Sequence, residues 1–214
     1  MEAIYNNLYQ MSYFRKDINL SNHQYLLMNS RPMLVYTGTH TVAKANLAEI
    51  EEILGEKELT AIFVSHFGAD ECGGLTTILE RYPNAQVICS EHTMRQLVGF
   101  GINAQFFAPK PGIVISGDDY EYHFIDYPAE SHLISGLLLY DAKSGIFFSS
   151  DLMMRAGDGA GQVTHSYWSE EVQATNMRQI PNRIMLRQLH KDLSGIQPRF
   201  IAVGHGYCMY ADEE

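Results

Sequence analysis

Short apolar runs bounded by turn residues recur along the chain, and this pattern predicts β-strands. They lie at 24–28, 32–36, 61–65, 85–90, 112–116, 121–126, 136–141, 145–148 and 199–203. Helical periodicity between them predicts one helix that Thr41 caps and Gly55 ends, one over 75–79 that stops before Pro83, and one that begins after Ser90. The longest helical candidate, 170–193, contains Pro181, so a kink or two consecutive helices are expected there. Strands interleaved with helices indicate a layered α/β fold, and we expect a single domain over residues 1–214 because nothing resembling a linker or a repeat interrupts the pattern.

Charge and composition narrow the range of partners. The 25 acidic residues outnumber the 15 basic ones and give a net charge of −10. Such a surface repels nucleic acid phosphates and anionic lipids, so neither is an expected partner. The acidity itself is explained by plain solubility. No apolar run has the roughly 20 residues that a membrane-spanning helix needs.

Cysteine usage favours a cytoplasmic location. The chain has only three cysteines, and they are widely separated. An odd number at such spacing does not suggest a disulfide framework. Its first residues, MEAIYNNLYQMSYF, have no basic region followed by an apolar core, so a secretory leader is not expected.

Polar residues with metal-binding side chains follow the predicted strands. The strand at 61–65 runs directly into His66, with Asp70 and Glu71 close behind it. Loops that leave strand ends are where α/β folds build their sites. The alternative is a helix start in which Asp70 is the N-cap and His66 is an ordinary loop residue.

Three later segments favour the metal interpretation. His132 precedes the strand at 136–141, Asp151 follows GIFFSS, and His205 follows RFIAV within Gly204-His205-Gly206. Together with the first segment they supply three imidazoles and three carboxylates, which suit two cations with one bridging carboxylate. The candidate metal ligands are therefore His66, Asp70, Glu71, His132, Asp151 and His205.

This order of residues resembles the metallo-β-lactamase superfamily, and within it the di-iron domain of flavodiiron proteins and stand-alone oxygen-binding di-iron proteins. The resemblance rests on the HxxxDxxGxL run at 66–75, His132 before a strand, IFFSSD ending at Asp151, and AVGHG at 202–206. It implies an αββα sandwich of two mixed sheets flanked by helices, with the metals at one edge of the sheets, and a homodimer.

The resemblance also implies roles for the ligands. His66, His132 and Asp151 would bind the first metal, and Asp70, Asp151, His205 and, by position, Glu71 would bind the second. The sequence departs from the flavodiiron pattern at Gly68, where the pattern has Glu, and at Glu71, where it has His. With Gly68 in place of a ligand, the first metal would have either an open coordination position or a weakened site. If Glu71 is not a ligand, it is an acidic residue in the first turn of a helix. The carboxylate-rich set favours iron, with zinc or manganese as alternatives.

Three functions remain open from the sequence. The first is a dinuclear iron protein that binds O2 or NO, as a sensor with a signalling partner or as a reductase module with a separate redox partner. Only nine residues follow His205, so we expect no flavin bound by this chain. The second is a metal-dependent hydrolase of an ester, thioester, lactone or phosphodiester, in which Asp70 would orient a metal-bound hydroxide. The third is a scaffold with a degenerate site that binds partners.

Overall fold

The computed structural model describes residues 2–128 and 136–212, and its strands form two sheets. The first sheet has six strands in chain order: β1 (Leu8–Arg15), β2 (Leu20–Leu27), β3 (Met33–Val35), β4 (Ala61–Phe63), β5 (Gln86–Ile88) and β6 (Gln105–Phe107). Strands β1 to β3 pair antiparallel, whereas β3 to β6 pair parallel, so the sheet is mixed.

The second sheet is also mixed. Its strands are β7 (Val114–Ser116), β8 (Glu121–Tyr127), β9 (Gly136–Asp141), β10 (Ile146–Ser150), β11 (Val163–Tyr167), β12 (Phe200–Val203) and β13 (Cys208–Asp212). They lie in the order β11-β13-β12-β10-β9-β8-β7. The pairs β10–β12 and β11–β13 are parallel, and the remaining neighbours are antiparallel.

Helices flank both sheets. They are α1 (His40–Leu54), α2 (Ala69–Cys72), α3 (Leu75–Arg81), α4 (Glu91–Gly99), α5 (Trp168–Ala174) and α6 (Arg183–Leu193). Buried residues of α1, α3 and α4 belong to the same apolar cluster as one face of the first sheet. Buried residues of α5 and α6 belong to the cluster that contains the second sheet.

Along the short parallel strands of the first sheet, successive apolar side chains belong to two different clusters, one on each face of the sheet, so the sheet is buried on both faces. In β3, Met33 and Val35 belong to the cluster between the sheets, while Leu34 packs towards the helices. Successive side chains of a strand point to opposite faces, so an all-apolar strand is expected only where both faces are covered. This is the αββα sandwich, and the fold expected from the sequence is confirmed.

Backbone hydrogen bonds join the two sheets at the edge that carries the candidate ligands. His23 of β2 donates its N–H to the carbonyl of Gly204 at 2.9 Å, and Leu137 of β9 donates to the carbonyl of Ser65 at 2.8 Å. The segment that follows β4 is thereby tied to the second sheet, and the segment that follows β12 to the first.

Several local predictions are confirmed and one is wrong. Gly55 ends α1 at φ 58°, Ser90 caps α4, and the segment around Pro181 forms two separate helices rather than one kinked helix. The cap of α1 is Thr39, whose hydroxyl accepts the Val42 N–H, and not Thr41. In the part of the chain that the structure describes, no helix is long and apolar enough to cross a membrane.

Candidate metal centre

The candidate ligands lie at the carboxyl ends of strands from both sheets. His66 follows β4, Asp151 follows β10, and His205 follows β12. Because β10 and β12 are parallel neighbours, Asp151 and His205 leave the second sheet at the same edge. Asp70 and Glu71 lie on α2, a single turn that begins three residues after His66 and faces the same edge. Five side chains from distant parts of the sequence therefore converge.

Distances divide these side chains into two groups that share a carboxylate. The Nε2 atom of His66 lies 3.4 Å from Oδ2 of Asp151 and 3.5 Å from Oε2 of Glu71. The Nε2 atom of His205 lies 3.1 Å from Oδ1 of Asp151 and 3.4 Å from Oδ2 of Asp70. Asp151 thus presents one oxygen to each histidine, which is the arrangement that a carboxylate bridging two cations requires.

Candidate ligand atoms within 4.8 Å of one another form two sets, His66 with Glu71 and Asp151, and Asp70 with Glu71 and His205. Glu71 belongs to both sets, whereas the resemblance assigned it to the second metal by position. The remaining sequence candidate, His132, lies outside the described residues.

Hydrogen bonds on the far side of each imidazole leave Nε2 facing the carboxylates. Nδ1 of His205 lies 3.1 Å from the carbonyl oxygen of Ser21, which can only accept, so Nδ1 carries the proton. Nδ1 of His66 lies 3.1 Å from the hydroxyl of Ser65 and 3.3 Å from that of Ser150. Histidines that bind metals commonly hydrogen-bond through the other ring nitrogen in this way.

The electrostatics of the site also fit a cation. Glu71 is 3% exposed, and its Oε2 has no hydrogen-bond partner among residues 2–128 and 136–212. Burial raises the pKa of Glu71 well above its usual range, and the negative charges of Asp151 and Asp70 raise it further. An unpartnered buried carboxyl group surrounded by two others is costly without a positive charge beside it.

Asp151 and His205 behave as an ion pair. Burial alone would raise the pKa of Asp151, but the hydrogen bond with His205 and the charges of His66 and His205 lower it on balance. Burial alone would lower the pKa of His205, but the hydrogen bond with Asp151 and the charges of Asp151 and Asp70 raise it on balance. The two imidazoles partly neutralise the negative charge of the carboxylates, as a bound cation would. Two imidazole nitrogens and three carboxylates therefore fit a pair of metal ions of the harder kind, such as iron or manganese.

Asp70 does not cap α2, so that alternative is wrong. The N-cap is Gly68, and Asp70 lies in the first turn, where its Oδ2 accepts a 3.0 Å hydrogen bond from Nδ2 of Asn22. The side chain of Asp70 is 31% exposed, which leaves its carboxylate accessible as well as oriented.

A strained turn presents Asp151, and the sequence motifs did not reveal it. Ser150 has φ 51° and Tyr36 has φ 62°, both in the left-handed region that residues other than glycine seldom adopt. The hydroxyl of Tyr36 accepts the Ser150 N–H at 2.9 Å. Backbone strain of this kind persists where surrounding contacts hold it, and here it sits directly before the shared carboxylate.

A cavity of about 170 Å³ opens onto the second group of ligands. Asp70 and His205 form part of its wall, and Arg15, Leu20 and Val42 form other parts. Its volume admits a few waters or a molecule of similar size, so small ligands can reach this side of the centre.

Comparison with known families gives an independent result. The family described as "ODP family beta lactamase" matches residues 20–206. This interval contains every candidate ligand named above.

One curated relative is the anaerobic nitric oxide reductase flavorubredoxin of Aliivibrio salmonicida (strain LFI1238). It is 23% identical over 141 residues, which make up 64% of this chain and 28% of the relative. The chain thus aligns with less than a third of that relative's length.

Solved structures share the fold at low sequence identity. Diflavin flavoprotein A 5 (fragment 1–254) of Nostoc sp. PCC 7120 superposes with a TM-score of 0.78 at 17% identity, covering 98% of this chain and 88% of that chain. The flavodiiron protein of Giardia intestinalis gives 0.77 at 14% identity, covering 96% and 54%. Rubredoxin oxygen:oxidoreductase of Desulfovibrio gigas gives 0.73 at 13% identity, covering 98% and 57%. The fold is therefore that of flavodiiron β-lactamase-like cores.

Proposed function

The chain belongs to the ODP beta lactamase family, and from this premise we propose that it holds two metal ions, iron by preference, and binds O2 or NO there. The observation that carries the proposal is the position of Asp151, whose two carboxylate oxygens face the Nε2 atoms of His205 and His66 at 3.1 and 3.4 Å. The names of similar proteins support the choice of ligands, since one is a nitric oxide reductase and another an oxygen oxidoreductase.

Iron at this place would supply the coordination positions at which a diatomic ligand binds. The chain's own residues fix the orientation of the metal-ligand side chains. Ser65 and Ser150 orient His66, the Ser21 carbonyl orients His205, and Asn22 orients Asp70. Such outer contacts keep ligands preorganised, and their loss in other metal sites typically lowers affinity by about 10- to 100-fold. His132 joins the ligands of the first metal in this proposal.

The proposed role is that of a sensor, or of a reductase module that receives electrons from a separate protein. The similar proteins are named flavorubredoxin and rubredoxin oxygen:oxidoreductase, so a redox partner of that kind is the natural donor in the second case. We place the protein in the cytoplasm because Cys72, Cys89 and Cys208 are free thiols. A homodimer is part of the proposal and is checked by the mass in solution.

The test is an anaerobic titration with two equivalents of Fe²⁺, followed by exposure to NO or O2 in separate cuvettes. We expect a new visible absorption band in the wild type and none in Asp151→Asn, which keeps the side-chain shape and loses the charge. Reversal of the band when O2 is removed favours a sensor. Repeated O2 consumption with a generic reductant, faster than a free-iron control, favours a reductase.

Two results would contradict the proposal. One is a wild type that binds two irons and shows no spectral change with either gas. The other is hydrolysis of an ester or thioester by the zinc-loaded wild type but not by Asp151→Asn, which would support the hydrolase instead.

A further inference from the structure

Gly68 lies where a side chain would enter the first group of ligands. Its backbone, at φ −126° and ψ 155°, is extended and available to any residue, so the conformation does not require glycine. A Cβ atom built at residue 68 would instead overlap Oε2 of Glu71, and it would lie 3.1 Å from Nε2 of His66. The space beside His66 that a residue at 68 would fill is therefore taken by the Glu71 carboxylate.

The Glu71 carboxylate has the features of a ligand. It is buried, its Oε2 has no hydrogen-bond partner in the described ranges, and that oxygen lies 3.5 Å from Nε2 of His66. It also falls within both sets of candidate ligands, which Asp70 and His66 do not. A carboxylate has two oxygens and can serve two cations at once, as Asp151 does in the proposed centre.

We propose that Glu71 supplies, from three residues further along the chain, the carboxylate that residue 68 lacks, and that both metal ions share it. This inference rests on the proposed function. Gly68 is then neither an open position nor a disabled site, because its missing side chain is what admits Glu71. The two residues form a coupled pair, since a side chain at 68 and the present position of Glu71 exclude each other.

Cobalt(II) is the probe, because its visible spectrum reports the ligands and a competing chelator gives its affinity. Glu71→Gln keeps the shape of the side chain and removes its charge, so we expect cobalt affinity to fall by roughly tenfold or more. Gly68→Ala should displace the Glu71 carboxylate and produce a comparable loss. In the Glu71→Ala background the space beside Gly68 is vacant. Adding Gly68→Ala to that background should therefore change the cobalt affinity less than about twofold. Such non-additivity is expected when residue 68 acts through Glu71.

The matched control is Gly99→Ala. A Cβ at Gly99 meets no atom within 4 Å, and like Gly68 this glycine has no positive φ. It should bind cobalt as the wild type does. Circular dichroism and urea unfolding of each variant without metal show that a loss of affinity is not a loss of the fold.

The inference is overturned if Gly68→Ala or Glu71→Gln binds two cobalt ions as tightly as the wild type. It is also overturned if Gly68→Ala costs as much in the Glu71→Ala background as alone, because the two residues would then act independently. A wild type that binds no cobalt, iron or zinc overturns the proposed function itself, and this inference with it. The wild-type titration thus separates the two failures.

Discussion

Tyr36→Phe tests how much the hydrogen bond between the Ser150 N–H and the Tyr36 hydroxyl stabilises the turn before Asp151. The change removes only the hydroxyl that accepts the Ser150 N–H at 2.9 Å. Tyr36 is 2% exposed and Ser150 is fully buried, so water cannot readily replace the lost acceptor.

The magnitude follows from the unpaired donor that remains. Leaving a buried N–H without a partner costs about 1–3 kcal/mol, whereas the aromatic ring and its packing are retained. For a chain of this length each kcal/mol shifts the melting temperature by about 2–4 °C. We therefore expect Tyr36→Phe to melt roughly 2–12 °C below the wild type. We also expect weaker metal binding, because Ser150 contacts His66 and precedes Asp151.

Thermal and urea unfolding of metal-free protein is the assay, so that bound metal does not contribute to the measured stability. Tyr82→Phe is the matched control, since Tyr82 is 6% exposed and its buried hydroxyl has no hydrogen-bond partner in the described part of the chain. Removing that hydroxyl should be neutral or stabilising. The reasoning is refuted if Tyr36→Phe is as stable as the wild type, or if Tyr82→Phe loses as much.

Two further predictions concern titratable groups other than the candidate ligands. Burial lowers the pKa of His23 from 6.5 to about 4. Between pH 6.5 and pH 4 the unfolded chain therefore binds a proton at His23 more readily than the folded protein does. The wild type should lose up to about 3 kcal/mol of folding free energy as the pH falls through this range. His23→Gln should show a flatter pH dependence in urea unfolding, and an unchanged slope would contradict this. Burial raises the pKa of Cys72 and Cys89 to about 12 and that of Cys208 to about 11. Ellman's reagent at pH 8 should therefore label no thiol in the folded protein and all three in denaturant; rapid labelling of the folded protein would disagree.

The fold was predictable where apolar runs were long or flanked by turn residues. Strands β9, β10 and β12 are buried throughout, so their apolar sequences identify them directly. Four strands were not predicted: β1, β6 and β11, which lie at sheet edges and include exposed positions, and β13, which lies between β11 and β12. Edge strands need fewer apolar residues, because they have a neighbouring strand on one side only and can expose one face to solvent.

The sequence could indicate which residues are candidate ligands but not how their side chains are arranged. Histidines and carboxylates that follow strand ends identified the ligand candidates, since strand ends meet at one edge of a sheet. The position of Glu71 depends on the orientation of α2, which no sequence pattern specifies, so its place in the space beside Gly68 could not be foreseen. The contacts from Tyr36 and Ser21 come from segments remote in sequence and carry no motif.

The most direct measurement is the number of metal ions per chain after anaerobic purification from cells supplied with iron. A dinuclear centre predicts about two irons per chain in the wild type, and clearly fewer in Asp151→Asn, because Asp151 serves both groups. Protein that is folded and carries no stoichiometric metal would contradict a dinuclear metal centre in this chain.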